Sequence, residues 1–184
     1  MRLPLAPAAD RSERLPSLVR ALVLILPTLV TLVACSSPQH PVAQQLPPDA
    51  KLVDRDTSAQ FVAAERYKGR VVVLDFWAGW CAECKRTIPQ VQRLAAAFAS
   101  EGLVVVGVNA GDKAADATTY AKELGIEYPI ALDPDLALSD KIADGKLPML
   151  IVVDRDGSIV HRAKQVDAAT LTIVRDLLHH RSAR

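Results

Sequence analysis

Seven residues near the middle of the chain, Val71 to Trp77 (VVVLDFW), hold one charge among six apolar side chains. A strand of this kind has no polar face to turn to water. Both faces must be covered, and the usual cover is helices packed on a sheet with parallel strands. The residues that follow agree. Ile88, Val91, Leu94, Ala95 and Phe98 recur at helical spacing between Cys84 and Ser100, and Gly102 closes that helix. Leu103 to Asn109 (LVVVGVN) reads as a second buried strand. A helix is expected over 113–124, ended by Gly125. The chain then passes Tyr128-Pro129-Ile130 and a short helix near 135–143. Pro148 to Asp154 and Ser158 to Ala163 read as strands joined by an Asp156-Gly157 turn. Leu171, Val174, Leu177 and Leu178 mark a last helix, with His179, His180 and Arg181 near its negative end. Upstream, Phe61, Val62, Ala64 and Tyr67 fit a helix near 57–67. The order βαβ, then helices, then ββα predicts an α/β fold. Its central mixed sheet has a parallel half, an antiparallel edge and flanking helices.

The 184 residues suit one domain with appendages, and a hydrophobic half with a formal charge of +1 excludes whole-chain disorder. No basic excess is available to drive nucleic-acid binding, so no nucleic-acid partner is expected. Three cysteines are too few for a disulfide scaffold, and the odd count asks for an explanation.

The N-terminus supplies one. Arg2, Arg11, Arg14 and Arg20 face Asp10 and Glu13, and precede the uncharged run Ala21–Val33 (ALVLILPTLVTLV). A bilayer span needs about 20 apolar residues, and this run is shorter and broken by Pro27. A basic flank, a short apolar core and a small residue describe a secretory signal, residues 1–34. Leu32-Val33-Ala34-Cys35 resembles a bacterial lipobox. That resemblance implies a lipid on Cys35 and a periplasmic or extracytoplasmic protein held on a bacterial membrane. With Ser36 next, an outer membrane is favoured if the cell is Gram-negative. Residues 35–49, with Pro38, Pro41, Pro47 and Pro48, read as a tether, and residues 50–184 as the folded domain. Lipidation of Cys35 leaves Cys81 and Cys84 as a pair.

A C-x-x-C pair can be a redox dithiol, half of a zinc site or an accident. Zinc needs four ligands. The sequence holds no second C-x-x-C, and His161, His179 and His180 lie at no ligand spacing, so no metal is expected. A strand-to-helix junction is also where a helix dipole stabilises a thiolate.

The segment Asp75-Phe76-Trp77-Ala78-Gly79-Trp80-Cys81-Ala82-Glu83-Cys84-Lys85 resembles the active-site segment of the thioredoxin superfamily. Gly107-Val108-Asn109, Glu127-Tyr128-Pro129, Leu132-Asp133, Leu147-Pro148 and Val153-Asp154-Arg155-Asp156-Gly157 resemble its extracytoplasmic TlpA/ResA branch. The resemblance covers about residues 70–160. It implies a thioredoxin fold with a TlpA/ResA-type insertion between the βαβ and ββα halves. It also implies no cofactor beyond a redox-active Cys81–Cys84 disulfide. Cys81 is the expected nucleophile and Cys84 the resolving thiol. Asp75, costly to bury when ionised, is expected to move the resolving proton. Thioredoxins place a lysine near this acid on the following strand, and Leu103–Asn109 contains none. The TlpA/ResA branch commonly has Asn at the position of Asp75, and often a Glu where this chain has Thr87. Pro148 matches the family's cis-proline, with Leu147 and Trp80 on the substrate side. Ala82 and Glu83 form the dipeptide that tunes redox potential. Pro89 is expected to kink its helix.

The expected function is a membrane-tethered protein-disulfide reductase. Its clients would be disulfide-bearing exported proteins, apocytochrome c among them. No G-x-G-x-x-G fingerprint is present, so the expected electron source is a transmembrane thiol donor of the DsbD/CcdA type. The alternatives are a disulfide oxidase or isomerase, or a copper-binding dithiol module.

Overall fold

The computed structural model describes residues 44–180. The expected signal segment, Cys35 and most of the tether lie outside those residues. Seven strands form one sheet: β1 (Lys51–Asp54), β2 (Gln60–Val62), β3 (Val72–Trp77), β4 (Val104–Ala110), β5 (Ile130–Asp133), β6 (Met149–Val153) and β7 (Ile159–Ala163). Their spatial order is β2-β1-β5-β4-β3-β6-β7. β3, β4 and β5 run parallel, while β1 and β2 on one side and β6 and β7 on the other are antiparallel. β3 is an interior strand, paired on both sides and wholly buried, as a run without a polar face must be.

Helices cover both faces. They are α1 (Ala63–Arg66), α2 (Cys84–Phe98), α3 (Ala114–Glu123), α4 (Ser139–Ile142) and α5 (Ala168–His179). Alternation along β3 divides the core. Val72, Leu74 and Phe76 pack with Leu46, Ala63, Leu138 and Ile142 on one face. Val71 and Val73 pack with Val91 and Leu94 of α2 and Val174 of α5 on the other. On that second face, Trp77 packs with Cys81, Cys84, Ile88 and the α3 residues Ala117 and Ala121. Between the βαβ and ββα halves lie α3, β5 and α4.

Three features depart from the sequence reading. Phe61 and Val62, expected in a helix, belong to β2, and α1 is a single turn after it. Phe61 pairs across the sheet with Leu52 and meets the Tyr67 ring edge-on at 6.0 Å. Phe61, Ala64 and Tyr67 all pack on the same core cluster at three-residue steps, a spacing that imitates a helix. β1 and β5 were not expected, since strands of four residues carry almost no period. The boundary at residue 50 also falls late. The Leu46 N–H donates to the Gly157 carbonyl at 2.8 Å, and the Ile159 N–H donates to that of Gln44 at 2.7 Å. The last residues assigned to the tether are thus clasped to the β6–β7 hairpin.

Candidate active site

β3 delivers the chain to a tight turn, Ala78 to Glu83, and α2 begins at Cys84. Cys81 therefore sits in the turn, three residues ahead of the helix. The two sulfurs are bonded at 2.05 Å, with Cα atoms 5.3 Å apart. Of the pair, only Cys81 reaches the surface, at 6 % exposure against 0 % for Cys84. The first N–H groups of a helix lack intrahelical acceptors. Here the Cys84 N–H donates to Cys81 Sγ at 3.1 Å. When the disulfide is reduced, the same donor and the positive end of α2 favour a thiolate on Cys81.

The surroundings divide into an apolar wall and an open edge. Leu147 packs against the cluster that contains both cysteines. The Leu147–Pro148 bond is cis, the isomer implied by the resemblance. The register Phe76–Met149 sets Pro148 level with Trp77, at the same end of the sheet as the cysteines. Trp77 is buried, whereas Trp80 stands out at 71 % exposure. Ala82 and Glu83 are exposed. Glu83 forms an ion pair with Arg86, and that hydrogen bond holds its carboxyl below the usual range. Its charge is thus paired with an exposed guanidinium three residues along. Thr87, buried one turn into α2, donates its hydroxyl to the Cys84 carbonyl at 3.1 Å. Pro89 lies inside α2 without ending it.

Asp75 is 2 % exposed, on the face of β3 shared by Val73 and Trp77, beneath α2. Burial lifts its carboxyl from the ordinary 3.8 to about 6, and a hydrogen bond from Tyr128 opposes part of that rise. The Tyr128 hydroxyl donates to Asp75 Oδ2 at 2.6 Å. The sequence marked Tyr128 as part of a motif and assigned it no role. The contact joins residues 53 positions apart, and no local signal reports it.

A second partnership missed at the sequence level supports the turn itself. Asp112, just after β4, accepts the Gly79 N–H at 2.7 Å and the Asn109 side-chain amide at 2.8 Å. The Tyr120 ring of α3 lies against Gly79, so a Cβ placed there would be 1.8 Å from the ring. Gly79→Ala is expected to displace Tyr120 and lower stability by about 1–3 kcal/mol. Thermal unfolding of the single variant, of Tyr120→Ala and of the pair checks this. The double variant should lose less than the sum of the singles.

Among the described residues, no three His, Cys, Asp or Glu side chains gather as metal ligands, and no helix is long and apolar enough to cross a membrane.

Known proteins resemble this chain in sequence and fold. The chain is 30 % identical over 105 residues to the thiol-disulfide oxidoreductase ResA of Bacillus subtilis, covering 57 % of this chain and 59 % of ResA. The chain thus spans under two thirds of that relative. The thioredoxin domain of a Bacteroides vulgatus thiol-disulfide oxidoreductase superposes with a TM-score of 0.64 at 21 % identity, covering 73 % of this chain and 96 % of that domain. A thiol:disulfide interchange protein of Chlorobium tepidum superposes with a TM-score of 0.57 at 28 % identity, covering 74 % of this chain and 98 % of its own. The fold is that of thioredoxin. The Redoxin family model matches residues 41–178, from ahead of β1 into α5. A match of that extent makes this protein a member of the Redoxin family.

Proposed function

We propose that this protein is a thiol–disulfide oxidoreductase that reduces disulfides of exported proteins outside the cytoplasm. The observation that carries the reading is the Cys81–Cys84 disulfide at the start of α2, with the Cys84 N–H directed at Cys81 Sγ. In the reduced protein, Cys81 thiolate attacks a client disulfide. A Cys81–client bond forms, the client S–S bond breaks and one client thiolate departs. Cys84 then loses its proton to the Asp75 carboxylate and attacks Cys81 Sγ. The mixed disulfide breaks, the second client thiolate departs and the internal disulfide is restored. Two electrons pass to the client. A partner dithiol, carried by a transmembrane protein, returns two electrons to the pair.

Trp80, Leu147 and the cis-Pro148 border the open side of the pair, and they form the docking edge for an extended client segment. Ala82 and Glu83 tune the potential. Apocytochrome c, whose haem-binding cysteines must be reduced, is a client of the right chemistry. The lipid on Cys35 anchors the protein to its membrane, an outer membrane if the cell is Gram-negative.

Insulin reduction by dithiothreitol, together with equilibration against glutathione, tests the reading. Turnover with a potential near about −270 mV is expected, whereas a value near about −120 mV would make the protein an oxidant. Asp75→Asn should slow resolution of the mixed disulfide more than the initial attack. Equal effects on both steps in stopped-flow traces would remove Asp75 from the mechanism. Metabolic labelling with palmitate should mark the intact chain and not Cys35→Ala.

A further inference from the structure

We propose that Tyr128 is a positioning residue of this site: by donating its phenolic hydrogen to Asp75, it holds the carboxyl in the ionised, proton-accepting form that the Cys84 step requires. The inference rests on the reading of Asp75 given above and adds a residue that acts through it.

The geometry is built rather than incidental. Asp75 of β3 stands across from Gly107 of β4. A Cβ at Gly107 would lie 3.0 Å from the Tyr128 ring and 3.0 Å from Trp77 Nε1. The missing side chain leaves the space in which the phenol lies beside the carboxylate. The same glycine pins the segment, its N–H donating to the Pro129 carbonyl at 2.9 Å. Tyr128 is itself 6 % exposed. Burial first, and then the neighbouring carboxylate, hold its phenol well above the usual range, so it stays a donor.

The other elements packed around Asp75 bring little charge. β4 presents Gly107 and β6 presents Leu150. α2 brings Cys84, Ile88 and Val91 to that face, with Cys81 in the turn above. The titratable groups on this face are Asp75, Tyr128, the two cysteines and Tyr120, which packs on the cluster that holds the cysteines; burial raises the Asp75 carboxyl and the Tyr128 bond opposes that rise. A lysine would add full Coulomb attraction for the carboxylate. A neutral phenol adds one strong hydrogen bond to the charged form. The acid is thereby ionised at neutral pH and still close enough to its midpoint to take a proton from Cys84. In that step the proton moves from Cys84 Sγ to Asp75. The thiolate forms the S–S bond to Cys81, and the Cys81–client bond breaks. Asp75 then releases its proton to solvent, and the departing client thiolate takes one up.

Stopped-flow measurement of mixed-disulfide resolution from about pH 5 to 9, on the full chain, tests the assignment. The unaltered protein should show a limb with its midpoint near the Asp75 value. In Tyr128→Phe the limb should move up by about one pH unit, a fall of about fivefold in rate at pH 6. Site-specific 3-fluorotyrosine at position 128 has a more acidic phenol and a stronger bond, and should move the limb down. Asp75→Asn should abolish the limb, with Tyr128→Phe adding nothing in that background. If Asp75→Asn removes the limb while neither change at 128 moves it, the role of Tyr128 is overturned and the proposed function stands. If Asp75→Asn leaves the limb in place, Asp75 loses its role and this inference goes with it. Should Tyr128→Phe not fold, the fluorotyrosine protein decides alone.

Discussion

Cys84→Ser is expected to stop the cycle halfway and leave the client covalently bound to Cys81. Turnover in the insulin assay should fall by at least about a thousandfold, and a disulfide-linked adduct should accumulate on non-reducing gels. Cys81→Ser should lose turnover to the same extent and accumulate no adduct. The difference follows from position. Cys81 is the sulfur with surface exposure and the one that accepts the Cys84 N–H. Cys84 lies behind it, with no exposure, and can reach Cys81 Sγ but not a client in solution. Mass spectrometry of tryptic fragments identifies the linked cysteine. Adduct formation in Cys81→Ser and not in Cys84→Ser would reverse the two roles.

Asp75→Asn is expected to make the protein more stable while impairing the reaction. The folded protein binds a proton at Asp75 more tightly than the unfolded chain does, because burial lifts the carboxyl from 3.8 to about 6. The stabilisation from that proton is complete below the unfolded value and is lost as the pH rises through about 6. Above it, the ionised carboxylate costs about 3 kcal/mol, a penalty removed by the neutral amide. At pH 7.5 the variant should therefore melt roughly 10 °C higher than the parent, and at pH 3.5 the two should melt together. The substituted amide can still accept the Tyr128 hydroxyl through its carbonyl oxygen, so packing is retained. Equal melting temperatures at pH 7.5 would show that the buried acid carries no such penalty. The pair of results would express a trade in which the group needed for proton movement is also the weak point of the core.

How far the sequence reveals this molecule depends on how locally each feature is encoded. The Val71–Trp77 run is apolar but for Asp75 and the helix after Cys84 repeats its apolar side chains at helical spacing, and both lie close to where the pattern sets them. β1, β2 and β5 have three or four residues apiece and owe their existence to neighbours supplied by distant parts of the chain. Phe61, Ala64 and Tyr67 show the hazard, because a three-residue step that imitates a helix here runs from a strand through a single helical turn. The cysteine pair could be read because its chemistry sits within four consecutive residues. Its supports could not. Tyr128 reaches Asp75 across 53 positions, and Asp112 reaches Gly79 across 33. The missing lysine on β4 was visible as a gap, but a phenol from the far side of α3 as its replacement was not. The ion pair of Glu83 with Arg86, three residues on, was likewise not read from the dipeptide alone.

The clasp between Gln44–Leu46 and the β6–β7 hairpin fixes where the described chain enters the domain. β6 leaves the sulfur end of the sheet at Met149 and meets its hairpin after Val153, where β3 begins. The incoming chain is therefore moored at the opposite pole, roughly 20 Å along the strand direction from the cysteines. Any pull on residue 44 is borne by that hairpin and not by the turn around Cys81.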